Sequence, residues 1–279
     1  MGKIVTCTVH KGGTGKTTLS VALACYAVKQ GLSVAIVDLD SQCNATKQFI
    51  ALDQVGECLT ASDLFDMMDL QTKTVCFVPH KKGDIEPDNV LHDSLDNAVK
   101  HRFSVIPAND ELLSVERLPI ESASIFSKNL RSLSEYFDLV VCDTPPTKGF
   151  GMLAPLMASD YAFSPINPDA FSSDGVASLF EKIRAIKEEK NKKLEFLGLV
   201  INRLNTHSPL QKQVANYMKE QLGNNVISQV IAERSAISNS AFSRRPVWYQ
   251  TRSGSTRIAA KEIKNTMKIL LDKMEMNEA

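Results

Sequence analysis

The chain has 279 residues, of which 43% are apolar, and its 32 basic and 32 acidic residues give a formal net charge of zero. This length allows one full hydrophobic core, so we predict a single domain over residues 1–279. The charge balance excludes a protein coated in one sign of charge, and no apolar run approaches the roughly 18 residues that a membrane-spanning helix needs.

Short β-rich segments recur along the chain. They are continuously apolar instead of alternating in polarity, which is typical of strands buried on both faces of a parallel sheet. The predicted strands are Lys3–Val9, Ser33–Asp40, Phe103–Ala108, Asp138–Asp143, Tyr161–Ile166 and Phe196–Asn202.

Helical segments lie between these strands. The clearest are Thr17–Gln30, Ser173–Lys190 and Pro209–Leu222. This order predicts an α/β fold, a mostly parallel twisted β-sheet flanked by helices. The segment Ala51–His101 is the least regular, and HKKGDIEPDN at 80–89 is predicted to be a surface loop.

Six cysteines are scattered over the first 142 residues of the chain. None forms a C-x-x-C pair, and several fall in apolar runs, where a thiol behaves as a small hydrophobic group. The cysteines therefore indicate a reducing cytosol and no metal centre. Their positions are 7, 25, 43, 58, 76 and 142.

A glycine-rich segment stands between the first predicted strand and the first predicted helix. Gly12, Gly13 and Gly15 allow the backbone to curl so that successive N–H groups point at phosphate oxygens, and the following helix adds its positive N-terminal end. Lys16 is placed to reach the β and γ phosphates, and the Thr17 hydroxyl is placed to ligate Mg²⁺. This context predicts a nucleotide-binding P-loop.

Acidic residues end two of the predicted strands. Asp38 and Asp40 are two residues apart, so both should lie on one side of an extended segment. Asp143 ends a later strand and is followed by a pair of prolines. A single strand-end aspartate is often only a helix cap. Three of them at the sheet edge where ligands bind predict a site for Mg²⁺ and an attacking water.

Three segments together resemble a known family. KGGTGKTT, VDLDSQCNAT and DLVVCDTPPTKG resemble the deviant Walker A, switch I and Walker B motifs of the ParA/MinD ATPases, most closely those of the short ParA-type DNA partition proteins. The similarity extends through FSVIPANDEL and LGLVINRLN to RRPVWYQ, so it covers most of the chain. The chain departs from the family at Ser41 and Cys43, where ParA proteins commonly have Pro and Gly. The first predicted strand begins at Lys3, so an N-terminal helix-turn-helix is not expected.

The resemblance implies a role for a second lysine, Lys11, which precedes the glycines. In that family the early lysine crosses the interface of an ATP-dependent homodimer and contacts the phosphates bound by the partner. A cation supplied in this way neutralises phosphate charge only when two ATP-loaded chains meet. A solvated loop lysine is the alternative.

The other implied roles belong to the strand ends. Asp40 would position the attacking water, Asp38 would lie near Mg²⁺ and hold the switch, and Asp143 would bind Mg²⁺ through water. Asn202 would contact adenine, unless it is an ordinary turn residue. The expected catalytic residues are Lys11, Lys16 and Asp40; the expected metal ligands are Thr17, Asp38 and Asp143; and the expected ATP-binding residues are Lys11, Gly12, Gly13, Thr14, Gly15, Lys16, Thr17, Thr18 and Asn202.

The segment 234–273 is basic, with nine basic residues against two acidic ones, a local net charge of +7. Within this segment, basic residues and apolar residues each recur every three or four positions, about half a turn apart. This pattern predicts a helix with one basic face and one apolar face. A solvated face is the usual explanation, but ParA dimers bind DNA without sequence preference, which favours a DNA surface. Its expected members are Arg234, Arg244, Arg245, Arg252, Arg257, Lys261, Lys264 and Lys268, and the apolar face is Ile263, Met267, Leu270 and Met274.

The resemblance thus implies a cytoplasmic, nucleoid-associated partition ATPase. It would hydrolyse ATP with Mg²⁺, bind nonspecific double-stranded DNA as a homodimer, and respond to a centromere-binding ParB-type adaptor without acting at a membrane. One alternative is a MinD-like positioning ATPase acting on a membrane or another cargo, although the ending KMEMNEA does not resemble a lipid-binding helix. A second is an enzyme of the nitrogenase iron protein type, which would need a cysteine pair at the dimer axis.

Overall fold

The computed structural model describes residues 1–8, 12–67, 69–81, 84–147, 149–170, 173–249 and 253–276. Ten strands fall within these ranges: β1 Lys3–Cys7, β2 Val34–Asp38, β3 Thr74–Phe77, β4 His80–Lys81, β5 Asp84–Ile85, β6 Leu91–Ser94, β7 Phe103–Ile106, β8 Leu139–Asp143, β9 Tyr161–Ile166 and β10 Glu195–Ile201. The α-helices described there are α1 Lys16–Lys29, α2 Ala98–His101, α3 Leu112–Val115, α4 Ser122–Leu133, α5 Phe150–Ala158, α6 Ser173–Glu189, α7 Pro209–Leu222, α8 Ser235–Phe242 and α9 Gly254–Lys273.

Eight strands form one sheet in the order β10-β9-β1-β8-β2-β7-β3-β6. The first six in this order are parallel to one another, and β3 runs antiparallel to both β7 and β6. These six parallel strands are the six that the sequence predicts, so the predicted α/β class is confirmed. Their order places the carboxyl ends of β1, β8 and β2 side by side, which is where the predicted site lies.

Two predictions are wrong, one about the segment 80–89 and one about the second strand. The segment 80–89 is not only a surface loop, because β4 and β5 pair in a small hairpin whose Ile85 side chain is 2% exposed. Strand β2 ends at Asp38, and the backbone N–H of Asp40 donates to Asp38 Oδ1 at 3.2 Å. Asp40 therefore belongs to the turn after the strand, and the two carboxylates do not share one side of an extended segment.

The helices cover both faces of the sheet. On one face α1 packs against α9, and on the other α4 packs against α5. The predicted apolar face of α9 is confirmed, because its four residues are at most 2% exposed. None of the described helices combines the length and the apolar character that crossing a membrane requires.

Candidate nucleotide-binding site

The glycine-rich loop leads from β1 directly into α1. Gly13 and Gly15 have φ angles of 76° and 95°, in the left-handed region that glycine tolerates best. Gly15 is the N-cap of α1 and has no side chain to bind the first N–H groups of the helix. Those N–H groups therefore face the cleft above the loop, which is the usual arrangement for binding phosphate.

Asp143 lies beneath the loop at the end of β8 and is fully buried. Its Oδ2 accepts a hydrogen bond from Thr17 Oγ1 at 2.7 Å, and its Oδ1 accepts one from Ser20 Oγ at 2.9 Å. Burial, followed by the nearby charge of Asp38, raises the pKa of Asp143, while these hydrogen bonds and the charge of Lys16 lower it. Ser20 was not predicted, although its position one helical turn after Thr17 could have indicated it.

Asp38 is also completely buried, and it lies opposite Asp143 in the register of β2 and β8. Its Oδ2 accepts hydrogen bonds from the backbone N–H and the hydroxyl of Thr46, both at 2.8 Å. Burial raises the pKa of Asp38, and the hydrogen bonds from Thr46 oppose that shift. Asp38 therefore ties the segment after β2 to the sheet, while the carboxylate of Asp40 accepts a hydrogen bond from the Gln42 N–H at 3.0 Å in the same turn.

Cys43 occupies the switch I position where the resembling family commonly has glycine. Its φ angle is 56°, which is unusual for a residue with a Cβ atom. The thiol is buried and lies 3.7 Å from the carbonyl oxygen of Ala108. Cys43 therefore takes a left-handed backbone conformation, and its sulfur is packed in the interior.

Two residues after β10 contact the glycine-rich loop. Asn202 is buried, and its Nδ2 donates to the carbonyl oxygen of Thr14 at 2.7 Å. Arg203, which was not predicted, donates from Nη1 to the carbonyl oxygen of Gly13 at 2.9 Å and from Nη2 to Glu233 at 3.0 Å. Asn202 thus supports the loop in this structure, in addition to facing the cleft where adenine was expected.

The cleft above the loop has a volume of about 430 Å³. Three of the predicted residues lie below the surface of this cleft and do not line it: Thr14, Asp38 and Asp143. Lys11 lies outside the described residues. The predicted residues that line the cleft are Gly12, Gly13, Gly15, Lys16, Thr17, Thr18, Asp40 and Asn202, and the structure adds Gln42, Asn44, Arg203, Glu233 and Arg234.

The oxygen donors below the cleft fit a magnesium ion. The Thr17 hydroxyl and the carboxylate of Asp143 are in hydrogen-bond contact, and Asp38 lies on the adjoining strand. Mg²⁺ is usually held by one or two carboxylates together with waters and phosphate oxygens, and no softer ligand is needed. The donor set therefore suits this ion.

The predicted DNA-binding residues do not form one uniform surface. Arg234 lines the nucleotide cleft, and its Nε and Nη2 donate hydrogen bonds to the two carboxylate oxygens of Glu262 at 3.1 and 2.8 Å. Arg244 pairs with Asp88, and the exposed Lys268 pairs with Asp272. Arg252 lies outside the described residues. The remaining predicted side chains are exposed or half-buried on or near α9: Arg245, Arg257, Lys261 and Lys264.

Gly15→Ala is expected to lower ATP affinity at least about tenfold, and Gly13→Ala is expected to have the smaller effect. Both glycines are left-handed, which costs an alanine about 1–2 kcal/mol. A Cβ atom at Gly15 would also lie 2.3 Å from Asn202 Nδ2, whereas a Cβ atom at Gly13 would meet nothing within 4 Å. Equilibrium titration with ATP would compare the two variants, and equal affinities would contradict the packing of Asn202 against the loop.

The loop, the buried aspartates and the parallel sheet define a P-loop nucleotide-binding protein. Residues 2–196 match a family described as an AAA domain. Protein IncC of Escherichia coli is 30% identical over 271 residues, which cover 96% of this chain and 69% of IncC. With these matches and its three motifs, the chain belongs to the ParA/MinD family of ATPases.

Solved structures show the same fold at lower identity. A putative plasmid partition protein from Borrelia burgdorferi, bound to AMPPNP, has a TM-score of 0.73 and 19% identity over 98% of this chain and all of that one. Cobyrinic acid a,c-diamide synthase from Mycobacterium smegmatis, with bound ADP and magnesium, also has a TM-score of 0.73, with 18% identity over 99% of this chain and 96% of that one. A partition protein and a biosynthetic enzyme match equally well, so the fold alone does not select between their functions.

Proposed function

We propose that this chain is a DNA partition ATPase of the ParA type, built as a single domain. It binds ATP with Mg²⁺, dimerises, binds nonspecific DNA on the nucleoid, and hydrolyses ATP when a centromere-binding ParB-type adaptor stimulates it. The observation that carries this proposal is the placement of Asp38 and Asp143 under a glycine-rich loop that Lys11 precedes in the sequence. Membership of the ParA/MinD family of ATPases supports the choice of ATP as the nucleotide.

The proposed binding mode follows from the loop. Backbone N–H groups from Gly12 to Thr17 surround the phosphates, and the buried Lys16 side chain supplies the positive charge. Thr17 and Asp143 hold the magnesium ion, Asp143 through water. The ion would supply positive charge that offsets the charge of the phosphate groups.

Asp40 is the residue that we assign to the attacking water. It lines the cleft, whereas Asp38 and Asp143 are buried below it, so Asp40 alone among the three faces the nucleotide. Its remaining carboxylate oxygen is available to orient a water molecule and to accept its proton as the water attacks the γ phosphate. The turn that holds Asp40 is anchored by Asp38 and Thr46, so the state of this turn controls hydrolysis.

The membrane-acting alternative lacks support in the described part of the chain. Such a protein would present an amphipathic helix to lipid, but the apolar face of α9 packs into the core against α1. The exposed residues of this helix include Arg257, Lys261 and Lys268. They fit a phosphate backbone, which attracts lysine and arginine without sequence preference.

Two variants test the division between hydrolysis and assembly. Asp40→Ala is expected to bind ATP and accumulate as a dimer, because the water is no longer positioned while the phosphate contacts remain. Lys11→Ala is expected to bind ATP but to form no catalytically competent dimer, because the cation that crosses the interface is missing. Light scattering with ATP and Mg²⁺, alongside phosphate release, would measure both effects. Identical behaviour of the two variants would contradict the separate roles.

A further inference from the structure

A cluster of potential metal ligands lies at the antiparallel edge of the sheet and plays no part in the nucleotide site. It consists of Cys58, Cys76 and His92, which each offer one ligand atom, and these atoms all lie within 4.8 Å of one another. The two sulfur atoms are in disulfide contact in this structure, and the Cα atoms of the two cysteines are 6.4 Å apart. The scatter of cysteines along the sequence does not predict this pair.

The fold itself brings the three residues together. Cys76 in β3 lies directly opposite His92 in β6 in the antiparallel register, so their side chains emerge on the same face. Cys58 reaches that face because the backbone N–H of Leu59 donates to the carbonyl oxygen of Thr74 at 2.8 Å, next to β3. The cluster is therefore held by strand pairing and backbone hydrogen bonds, and not by the sulfur contact alone.

The imidazole of His92 has a hydrogen-bond arrangement that is typical of a histidine bound to a metal. Its Nε2 lies 2.9 Å from the carbonyl oxygen of Gln54. A histidine that binds a metal usually donates its second ring N–H to such a carbonyl, which fixes the tautomer. A Cβ atom added to Gly56 would lie 3.0 Å from His92 Cε1, so the backbone of the same loop also packs on the ring. A disulfide alone gives no reason for this placement of the histidine.

The two cysteines of the cluster are buried and the histidine is exposed, as expected for a metal site that an ion can enter from solvent. The Cys58 and Cys76 side chains are 5% and 0% exposed, whereas His92 is exposed at the edge strand. The sulfurs are thus protected from bulk solvent, and an ion can still reach them from the side of the histidine. The carbonyl oxygen of Val55 lies 2.6 Å from Cys58 Sγ and adds a further oxygen beside the sulfurs.

We propose that the reduced form of this cluster binds one Zn²⁺ ion through Cys58, Cys76 and His92. Two thiolates and an imidazole are the soft and borderline ligands that zinc prefers, and tetrahedral coordination at about 2.3 Å from sulfur places two thiolates about 3.8 Å apart. Binding releases the two thiol protons, and the two thiolate charges neutralise the ion. The bound ion links the segment that follows switch I to strands β3 and β6.

The test uses the full chain, stripped of metal and kept reduced, and titrates it with Co²⁺ as a spectroscopic substitute for zinc. We expect one equivalent of Co²⁺ to produce a sulfur-to-cobalt charge-transfer band that Zn²⁺ then removes. Cys58→Ser should abolish the band, and His92→Ala should weaken binding at least about tenfold. His92 is exposed, so its replacement should not impair folding, and Cys25→Ser serves as the control for a buried thiol outside the cluster.

Thermal unfolding provides a second measurement that does not depend on ATP hydrolysis. Saturating Zn²⁺ should raise the melting temperature of the reduced protein by about 5 °C or more and should leave Cys58→Ser unchanged. Absence of the charge-transfer band in the reduced protein, or the same affinity in His92→Ala, would overturn the proposal. A pair that remains oxidised under strong reductant would show that the cluster is a disulfide only. The expected metal ligands of the nucleotide site, Thr17, Asp38 and Asp143, are all oxygen donors, so Co²⁺ bound there cannot produce a sulfur-to-cobalt band.

Discussion

Lys16→Ala is expected to lower the affinity for ATP by roughly 100-fold or more. The Lys16 side chain is only 7% exposed, it lines the cleft at the start of α1, and its charge already acts on buried Asp143. Removing one partner of a buried, charge-assisted contact costs about 2–5 kcal/mol, and each 1.4 kcal/mol is a factor of about ten in affinity. Equilibrium titration with a fluorescent ATP analogue in the presence of Mg²⁺ would measure the loss.

Two control variants separate charge from packing. Lys16→Met keeps most of the buried side-chain volume and should lose affinity as Lys16→Ala does. Lys29→Ala removes a lysine from the opposite end of α1, where the side chain is exposed, and should bind ATP normally. If Lys16→Ala bound ATP as tightly as the unmodified protein, the assignment of the P-loop would fail.

The parallel part of the sheet could be predicted because its strands are buried on both faces. Runs such as residues 139–142 are continuously apolar, and the predicted limits of the six parallel strands differ from the observed ones by at most two residues. The antiparallel edge could not be predicted in the same way. Strand β6 has the sequence LHDS and is half-exposed, so it carries neither an apolar run nor a clear alternation. Its existence depends on pairing with β3, which is information that a local pattern does not contain.

In the nucleotide site, residues within one sequence motif could also be predicted, whereas contacts between residues far apart in the sequence could not. The P-loop glycines and the strand-end aspartates have fixed spacings in one segment, so a motif identifies them. The contacts of Arg203 with Gly13 and of Asn202 with Thr14 join residues almost 190 positions apart, and only the tertiary structure creates them. The end of β2 at Asp38 could not be predicted either. The turn that follows is held by a hydrogen bond from the backbone N–H of Asp40 to the Asp38 side chain, which the sequence does not reveal.

Counting charges along the sequence does not show which basic residues form ion pairs with acidic ones. The net charge of +7 over residues 234–273 treats all nine basic side chains as equal. Arg234 is neutralised by a bidentate contact with Glu262, and this contact also closes one wall of the nucleotide cleft. This half-buried pair contributes to the shape of the cleft, and its two opposite charges offset each other. The surface charge that remains is concentrated on the exposed side of α9.

Reversing three charges on that side of α9 is expected to abolish nonspecific DNA binding while ATP binding is retained. The triple variant carries Arg257→Glu, Lys261→Glu and Lys264→Glu, which lie on one face at helical spacing. None of these residues lines the nucleotide cleft. Each phosphate contact adds about −0.9 to the slope of log affinity against log salt, so a dimer that loses six contacts should lose up to about five units of slope. At physiological salt the affinity should fall roughly 100-fold or more.

A matched control is available on α6. Arg184 and Lys187 lie near the end of that helix and Lys190 follows it directly. All three are exposed, and changing them to glutamate alters the net charge by the same amount. Fluorescence anisotropy of a random-sequence duplex, measured at several salt concentrations with ATP, with ADP and without nucleotide, would compare both triple variants with the unmodified protein. Because dimerisation doubles the number of basic faces, binding should be tight only with ATP, and the α6 variant should retain it. Normal DNA binding by the α9 variant would place the DNA surface elsewhere, and equal losses in both variants would mean that total charge, and not the α9 face, determines binding.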